Sequence, residues 1–477
     1  MMFSYFKALL LLCSASLLTT TAYAREGEVD TLPTKAIDQL IIRKLPSVAP
    51  GGVVLIAKHG KIVYEKAFGK ASLQPEHLIN EKMIFRIGSL TKQFTATAIL
   101  QLVEQGKLSL NDTVQKFVKE FPSMPYPITI ENLLTQTSGI INYQAIEHPN
   151  PAKVRNDYTP DQGVDFFKDE PLLFKPGTKF DYSNSNYYLL GYIIEKVTGE
   201  SYADYLRKHL YADYLRKHLF EPAGLTHTSY IVPQHPVANI ASGYSRFDGK
   251  KWENAELQNV TFLYAAGGLL SNAEDMLKWH RALTQGTLIS KPMLQKAFTP
   301  FQLADGTKSD YGYGWYIRKL DGETTIEHSG STDGYQANEI YLPNLDIYLV
   351  TLFNGFEQDM DWTVLSNDVA RLASSKPLAK EVKLNDELLK QYVGTYIFNA
   401  EHQLVITYKN QELFVEAVNP KDRLPRVQLF ARNSKRFYIK EANLEFEFEI
   451  NETDRSTKLT TYNSRGKDAE WKKVAER

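Results

Sequence analysis

Ser89 and Lys92 stand three residues apart in "GSLTK", at the opening of a long helical pattern. On a helix that spacing puts both side chains on one face, so the Lys92 nitrogen can reach the Ser89 hydroxyl. A serine is a weak nucleophile until a neighbouring base activates it. The Ser89 backbone N–H, without an intrahelical partner at a helix start, can also point at a developing oxyanion. Taken alone, the spacing equally describes a helix cap with a surface lysine.

Two further stretches supply complementary groups. In "FDYSNSNYYLLGYIIEKVTG", Tyr182 and Asn184 flank one serine just before a helix, and alternate residues of an extended segment face the same way. A tyrosine beside two cationic groups can shuttle a proton. In "IEHSGSTDGYQANEIYLP", His328, Gly330 and Ser331 open a strand-like run. Gly330 is expected to let a substrate backbone approach the strand edge, with His328 free to hydrogen-bond the proton-transfer group.

In this order, SxxK, then YxN, then HxG, the chain resembles the serine β-lactamase-like family, specifically the class C β-lactamase branch and its D-Ala-D-Ala carboxypeptidase, D-aminopeptidase and esterase relatives. The phrases "ENLLTQTSGI", "PGTKFDYSN", "AAGGLLSNAEDMLKW" and "YGYGW" follow in family order, and the resemblance covers about residues 35 to 370. It implies an acylated nucleophile at Ser89, Lys92 as its activating partner and Tyr182 as general base and acid. It further implies Asn184 as holder of the substrate amide, His328 in place of a lysine, and an oxyanion site between the N–H groups of Ser89 and Ser331. The histidine form is that of peptidase and D-amino-acid-processing relatives, which makes a D-amino-acid peptide or small ester the expected substrate ahead of a β-lactam. Gln136 stands where the family's "LLTHTSG" phrase usually carries His.

Positioning such groups takes a scaffold, and the chain has material for one. It has 477 residues, 43% of them hydrophobic, and a formal net charge of -1, enough for a large core divided among domains. Lys and Arg are dispersed rather than clustered, so no nucleic-acid partner is expected. Apolar spacing predicts a helix over 31–45, a hairpin over 51–69 turning at Lys58–Lys61, a strand-to-helix passage over 84–105, and helices at 130–136, 184–198 and 272–285. β-rich stretches lie around 311–318 and 335–353. Helices and strands interleave without a βαβ rhythm, which predicts an α/β (α+β) architecture: an antiparallel sheet flanked by helices, with a helical lobe. Loops at 143–170 and 231–260 are expected to wall the cleft.

From 391 to 475 short alternating runs replace this mixture, the clearest being Leu444, Phe446, Phe448 and Ile450 interleaved with Glu445, Glu447 and Glu449. Six or more such strands predict a second, all-β antiparallel barrel domain, and the segment is similar to the lipocalin-like domain appended to some of these hydrolases. The expected division is a signal peptide at 1–24, the hydrolase domain at 25–375, a linker at 376–385 and the barrel at 386–477. The leader carries one lysine, an apolar run and Ala22-Tyr23-Ala24, a pattern of export to the periplasm or outside the cell rather than of a stable membrane span. Cys13, the only cysteine, lies inside it, and the ten histidines show no metal-ligand spacing, so neither disulfides nor a metal or other cofactor is expected. The partner expected is a small-molecule or peptide substrate, and the extra β domain makes a homo-oligomer possible. A non-catalytic binding or assembly protein in a hydrolase shell is the competing reading.

One feature belongs to none of this. Residues 202–219 are "YADYLRKHL" written twice. Nine residues turn a helix by about 900°, so a second copy continuing one straight helix aims its apolar stripe at the opposite face. The expectation is that Tyr214, Leu215 and Leu219 are exposed, or that the helix bends near Leu210.

Overall fold

Two stretches, "GVVLIAK" (Gly52–Lys58) and "IYLVTLF" (Ile347–Phe353), are apolar along nearly their whole length, and the computed structural model shows why: they pair antiparallel at the interior of a six-stranded sheet. The sheet order is Tyr316–Leu320, Glu323–Thr332, Tyr335–Leu342, Ile347–Phe353, Gly52–Lys58, Lys61–Phe68, antiparallel throughout. Alternate residues of Ile347–Phe353 meet different helices. Thr351 and Phe353 contact Ser366 and Trp362 of the helix Trp362–Ala373, while Tyr348 stacks on His280 of the helix Ala273–Gln285. With both faces covered, the strand is apolar at every position but Tyr348 and Thr351, and the Thr351 hydroxyl is bonded to Ser366.

The structure describes residues 32–45, 49–147, 152–198, 210–230, 239–247, 251–357, 362–378, 381–419, 424–439, 444–451, 456–463 and 466–474. The leader, Ser201 and nearly all of the first repeat copy lie outside them. The expected helices stand at Thr34–Lys44, Thr91–Glu104, Ile130–Leu134, Asn184–Thr198 and Ala273–Gln285. Helix starts follow local chemistry: Thr129 and Asn132 form a reciprocal capping box, and the Asn272 side chain accepts from the Asp275 N–H. The segment 143–170 is not plain loop but carries the short helices Tyr143–Glu147, Lys153–Arg155 and Pro160–Val164.

Thr91–Glu104, Asn184–Thr198 and Val260–Gly267 pack on one another as the helical lobe, and the turn before Thr91 packs on the sheet strands Glu323–Thr332 and Tyr335–Leu342. The cleft therefore opens where lobe and sheet meet. Behind it, Glu339 is buried in its strand and accepts from Gln93 Nε2 at 2.7 Å, while Gln93 Oε1 accepts from Trp279 Nε1. Burial pushes the Glu339 carboxyl from its ordinary 4.5 up to about 7, and Glu195 likewise. The folded protein thus holds these protons over a range where the unfolded chain has released them. Stability is greatest below about pH 4.5 as far as these groups go, falls as the pH rises towards 7, and stays lower above it. In Glu339→Gln the drop in melting temperature between pH 5 and pH 8 should shrink markedly; an unchanged pH slope would refute the assignment.

Past Ala373 the architecture changes. Eight strands from Gly394–Ile397 to Gly466–Lys473 pair each with the next, antiparallel, and the last closes on the first. Phe446 and Phe448 point into this barrel with Tyr396, Phe437 and Leu459, filling it with side chains as a small eight-stranded barrel requires.

The repeat departs from expectation. The second copy is not displaced: Tyr211, Tyr214, Leu215 and Leu219 are all buried in the main core. An α-turn over Leu210–Leu215 passes into a π-turn over Arg216–Phe220, and Leu219 and Phe220 face inward from it; a bend near Leu210 would involve residues outside the described ones. Because the copies are identical, deleting Tyr211–Leu219 or 202–210 yields the same chain, and the surviving copy can occupy the packed place. The Tyr211 N–H bonds the Glu195 carboxylate, so the second copy begins against the helix Asn184–Thr198 that precedes the repeat. The shortened chain should melt no lower than the full one. A fall of more than a few degrees would show that both copies are built into the structure.

Candidate active site

Ile87 leads into a 3-10 turn over Gly88–Leu90 and then the helix Thr91–Glu104, so Ser89 sits on the last turn before the helix proper. Gly88 has φ +50, and a Cβ there would lie 2.8 Å from the Ser331 nitrogen. Only glycine lets the serine turn approach the sheet so closely. Ser89 is partly exposed; Lys92, one turn on, is fully buried. Lys92 Nζ lies 3.0 Å from Ser89 Oγ and donates to Asn184 Oδ1 at 2.7 Å and to the Ala266 carbonyl at 2.8 Å. Burial pulls its pKa well below the ordinary lysine value. Once neutral, such an amine has two N–H groups for the two fixed acceptors and a lone pair for the serine O–H. That is the arrangement of a base poised on a nucleophile.

Tyr182 and Asn184 both meet this amine. The Lys92 nitrogen is 4.9 Å from the centre of the Tyr182 ring. Asn184, fixed as the first residue of its helix, divides its amide between Lys92 and Gln144, donating to Gln144 Oε1 at 2.7 Å. Its side chain is thus engaged in holding Lys92, a use that the motif alone did not indicate.

His328 lies on the facing strand, its ring 6.0 Å from that of Tyr182. It is not free to reach the proton-transfer group as expected. Its Nδ1 is 2.6 Å from the Ser329 carbonyl, which can only accept, so Nδ1 carries the proton; Nε2 then accepts from Tyr311 Oη at 3.1 Å. Burial lowers its pKa to about 3, so the ring is neutral and the standing positive charge expected beside Tyr182 is not supplied from this side. Aromatic rings line the approach: Tyr316 stacks parallel to Tyr182, and the Arg318 guanidinium sits 3.7 Å above Tyr316.

The room left by Gly330 is taken up from within. A Cβ there would meet the Ile87 carbonyl oxygen at 2.0 Å and the Ser89 nitrogen at 3.0 Å. Gly330 and Gly88 together let the serine turn lie against the strand, which brings the backbone nitrogens of Ser89 and Ser331 to one junction. The structure therefore gathers Ser89, Lys92, Tyr182, Asn184, His328, Gly330 and Ser331 in one cleft. Sequence reasoning missed Gln144, Tyr311 and the Ala266 carbonyl. Tyr311 lay in a quoted phrase, "YGYGW", but nothing in that phrase says what its hydroxyl meets. Among the described residues, no group of three His, Cys, Asp or Glu side chains is placed to hold a metal ion, and no helix is long and apolar enough to cross a membrane.

Comparison with known proteins agrees with this geometry. A family model described as Beta-lactamase matches residues 39–373, and a second, described as a domain of unknown function, DUF3471, matches residues 378–473. The chain is 34% identical over 297 residues to the putative penicillin-binding protein PbpX of Bacillus subtilis, covering 62% of this chain and 69% of that one. Among solved structures it resembles the octameric penicillin-binding protein homologue from Pyrococcus abyssi, with a TM-score of 0.66 and 26% identity over 92% of this chain and 99% of that one. It also resembles a D-stereospecific amidohydrolase from Streptomyces sp., with a TM-score of 0.56 and 25% identity over 67% of this chain and 94% of that one.

Proposed function

Because the chain belongs to the Beta-lactamase family and is a serine hydrolase, we propose that it works through an acyl-enzyme at Ser89, acting on a D-amino-acid peptide, an amide or a small ester. Ser89 Oγ attacks the carbonyl carbon while its proton passes to the Lys92 and Tyr182 pair. That proton is then delivered to the departing amine or alcohol as the carbonyl–heteroatom bond breaks. Water, deprotonated by the same pair, attacks the ester so formed and releases the acid and Ser89 Oγ–H. The N–H groups of Ser89 and Ser331 face the oxyanion.

The observation that carries this reading is the buried Lys92 nitrogen, held by Asn184 Oδ1 and the Ala266 carbonyl, with Ser89 Oγ 3.0 Å away. The likeness to a D-stereospecific amidohydrolase and the neutral His328 both favour D-configured peptides or amides over β-lactams. Incubation with a fluorophosphonate, and separately with a fluorescent penicillin, read by intact mass, tests it. A single adduct that disappears in Ser89→Ala is expected from the fluorophosphonate, with slower or absent labelling by the penicillin. No adduct from either reagent would refute the mechanism and favour a binding protein in a hydrolase shell; fast penicillin turnover would make it a class C-like β-lactamase.

The same proposal includes export. Residues 1–24 serve as the signal peptide, 25–375 as the hydrolase domain, 376–385 as the linker and 386–477 as the barrel, with mature protein beginning at Arg25. The octameric Pyrococcus abyssi homologue makes self-association through a similar two-part chain part of the reading.

A further inference from the structure

Resting on that reading, we infer that Gln136 is a positioning residue for Tyr182. It is completely buried and held at φ +60, a left-handed conformation costly for a residue with a Cβ. Three hydrogen bonds explain why the conformation is kept. The Gln136 carbonyl accepts from the Asp181 N–H at 2.9 Å, and Gln136 Oε1 accepts from the Ser183 N–H at 3.1 Å and from Asn186 Nδ2 at 2.6 Å. One residue thus grips the backbone on both sides of Tyr182 and, through Asn186, the first turn of the helix that carries Asn184.

The orientation of each amide is internally consistent. Asn186 Oδ1 accepts from Ser138 Oγ at 2.5 Å, which leaves its Nδ2 to donate to Gln136. Two donors converge on Gln136 Oε1, so the oxygen cannot be exchanged with the nitrogen. Its Nε2 is buried without a partner, a cost of roughly 1–3 kcal/mol. A residue chosen for stability alone would not leave that donor unpaired, nor sit at positive φ. What the position obtains in return is two acceptor oxygens on one residue, aimed at the two N–H groups that bracket Tyr182. A side-chain amide is also an acceptor at every pH, whereas a histidine, the residue usual at this place in the family phrase, loses its acceptor when protonated.

The test compares Gln136→Met, which keeps length and burial but has no oxygen to accept, with Gln136→His, which keeps one acceptor while neutral. In fluorophosphonate labelling and in turnover of a D-alanyl peptide or short-chain ester, Gln136→Met should react about 10- to 100-fold more slowly per folded molecule, since a displacement near 1 Å costs about that much, with KM changed less than threefold. Gln136→His should recover most of the rate at neutral pH and lose it again on the acid side, reversibly and at pH values where the protein is still folded. A purely structural residue would instead lower the melting temperature while the folded fraction reacted at the wild-type rate, and that result overturns the inference. Should Gln136→Met fail to fold, Gln136→Asn decides: its amide is one methylene too short to reach the Ser183 N–H, and the same slow labelling is expected, wild-type labelling being the refuting result. If the wild-type protein itself forms no adduct at Ser89, the acyl-enzyme reading falls, and this one with it; labelled wild type with equally fast variants refutes the inference alone.

Discussion

Replacing Lys92 with Met should abolish acylation while leaving the protein folded and at least as stable. The side chain is fully buried and stands 3.0 Å from Ser89 Oγ, with its N–H groups engaged by Asn184 and Ala266. Methionine has similar length and no base, so the serine proton has no acceptor on that side. A general base of this kind contributes roughly 10²–10⁴-fold, and a loss on the order of 10³-fold in kcat/KM is expected. Stability moves the other way, because burial disfavours the charged amine that the unfolded chain carries. The sign is definite: below the unfolded lysine value the unfolded chain binds the extra proton, so wild-type stability from this group rises with pH. The advantage of Lys92→Met in melting temperature should therefore be largest near neutrality and shrink towards pH 10. Activity within tenfold of wild type would remove Lys92 from the mechanism.

Replacing Gly330 with Ala should be nearly as damaging, although the residue contributes no reactive atom. A Cβ at Gly330 would overlap the Ile87 carbonyl oxygen at 2.0 Å, and that atom is backbone. No side chain can swing away, so the strand Glu323–Thr332 and the Ser89 turn must separate by about 1 Å or more. Displacement on that scale costs about 100-fold when it misaligns a nucleophile from its oxyanion donors, and overpacking adds roughly 1–3 kcal/mol of destabilisation. Gly267→Ala is the contrast. It lies beside Ala266 at the same site, but its Cβ would meet nothing nearer than 3.7 Å, so activity should stay within a few-fold of wild type. Equal effects of the two substitutions would sink the argument from close approach.

Much of this site was written in short-range spacing. Ser89 and Lys92 are one turn apart, a spacing that puts them on one face and within reach of the 3.0 Å contact observed. The same holds for Leu444, Phe446, Phe448 and Ile450, whose alternation with glutamates implies a strand with one wet face; Phe446 and Phe448 are in fact buried in the barrel. The helix expected over 184–198 is present as Asn184–Thr198.

Other relations had no local signature. Gln136 holds Ser183 and Asn186 from 47 and 50 residues away, Asn184 reaches Gln144 across 40, and Lys92 donates to the carbonyl of Ala266 across 174. A backbone carbonyl is the same group at every position, so no residue type announces it. The protonation of His328 depends on which oxygen faces Nδ1, and Ser329 provides it through backbone geometry rather than identity. The repeat makes the point most sharply. Two copies with the same atoms have the same propensities and the same stripe, so nothing local tells one from the other. The second copy runs directly into Phe220, whose ring meets Phe94 edge-on in the core, and long-range packing of that kind arises only when the whole chain has closed around it.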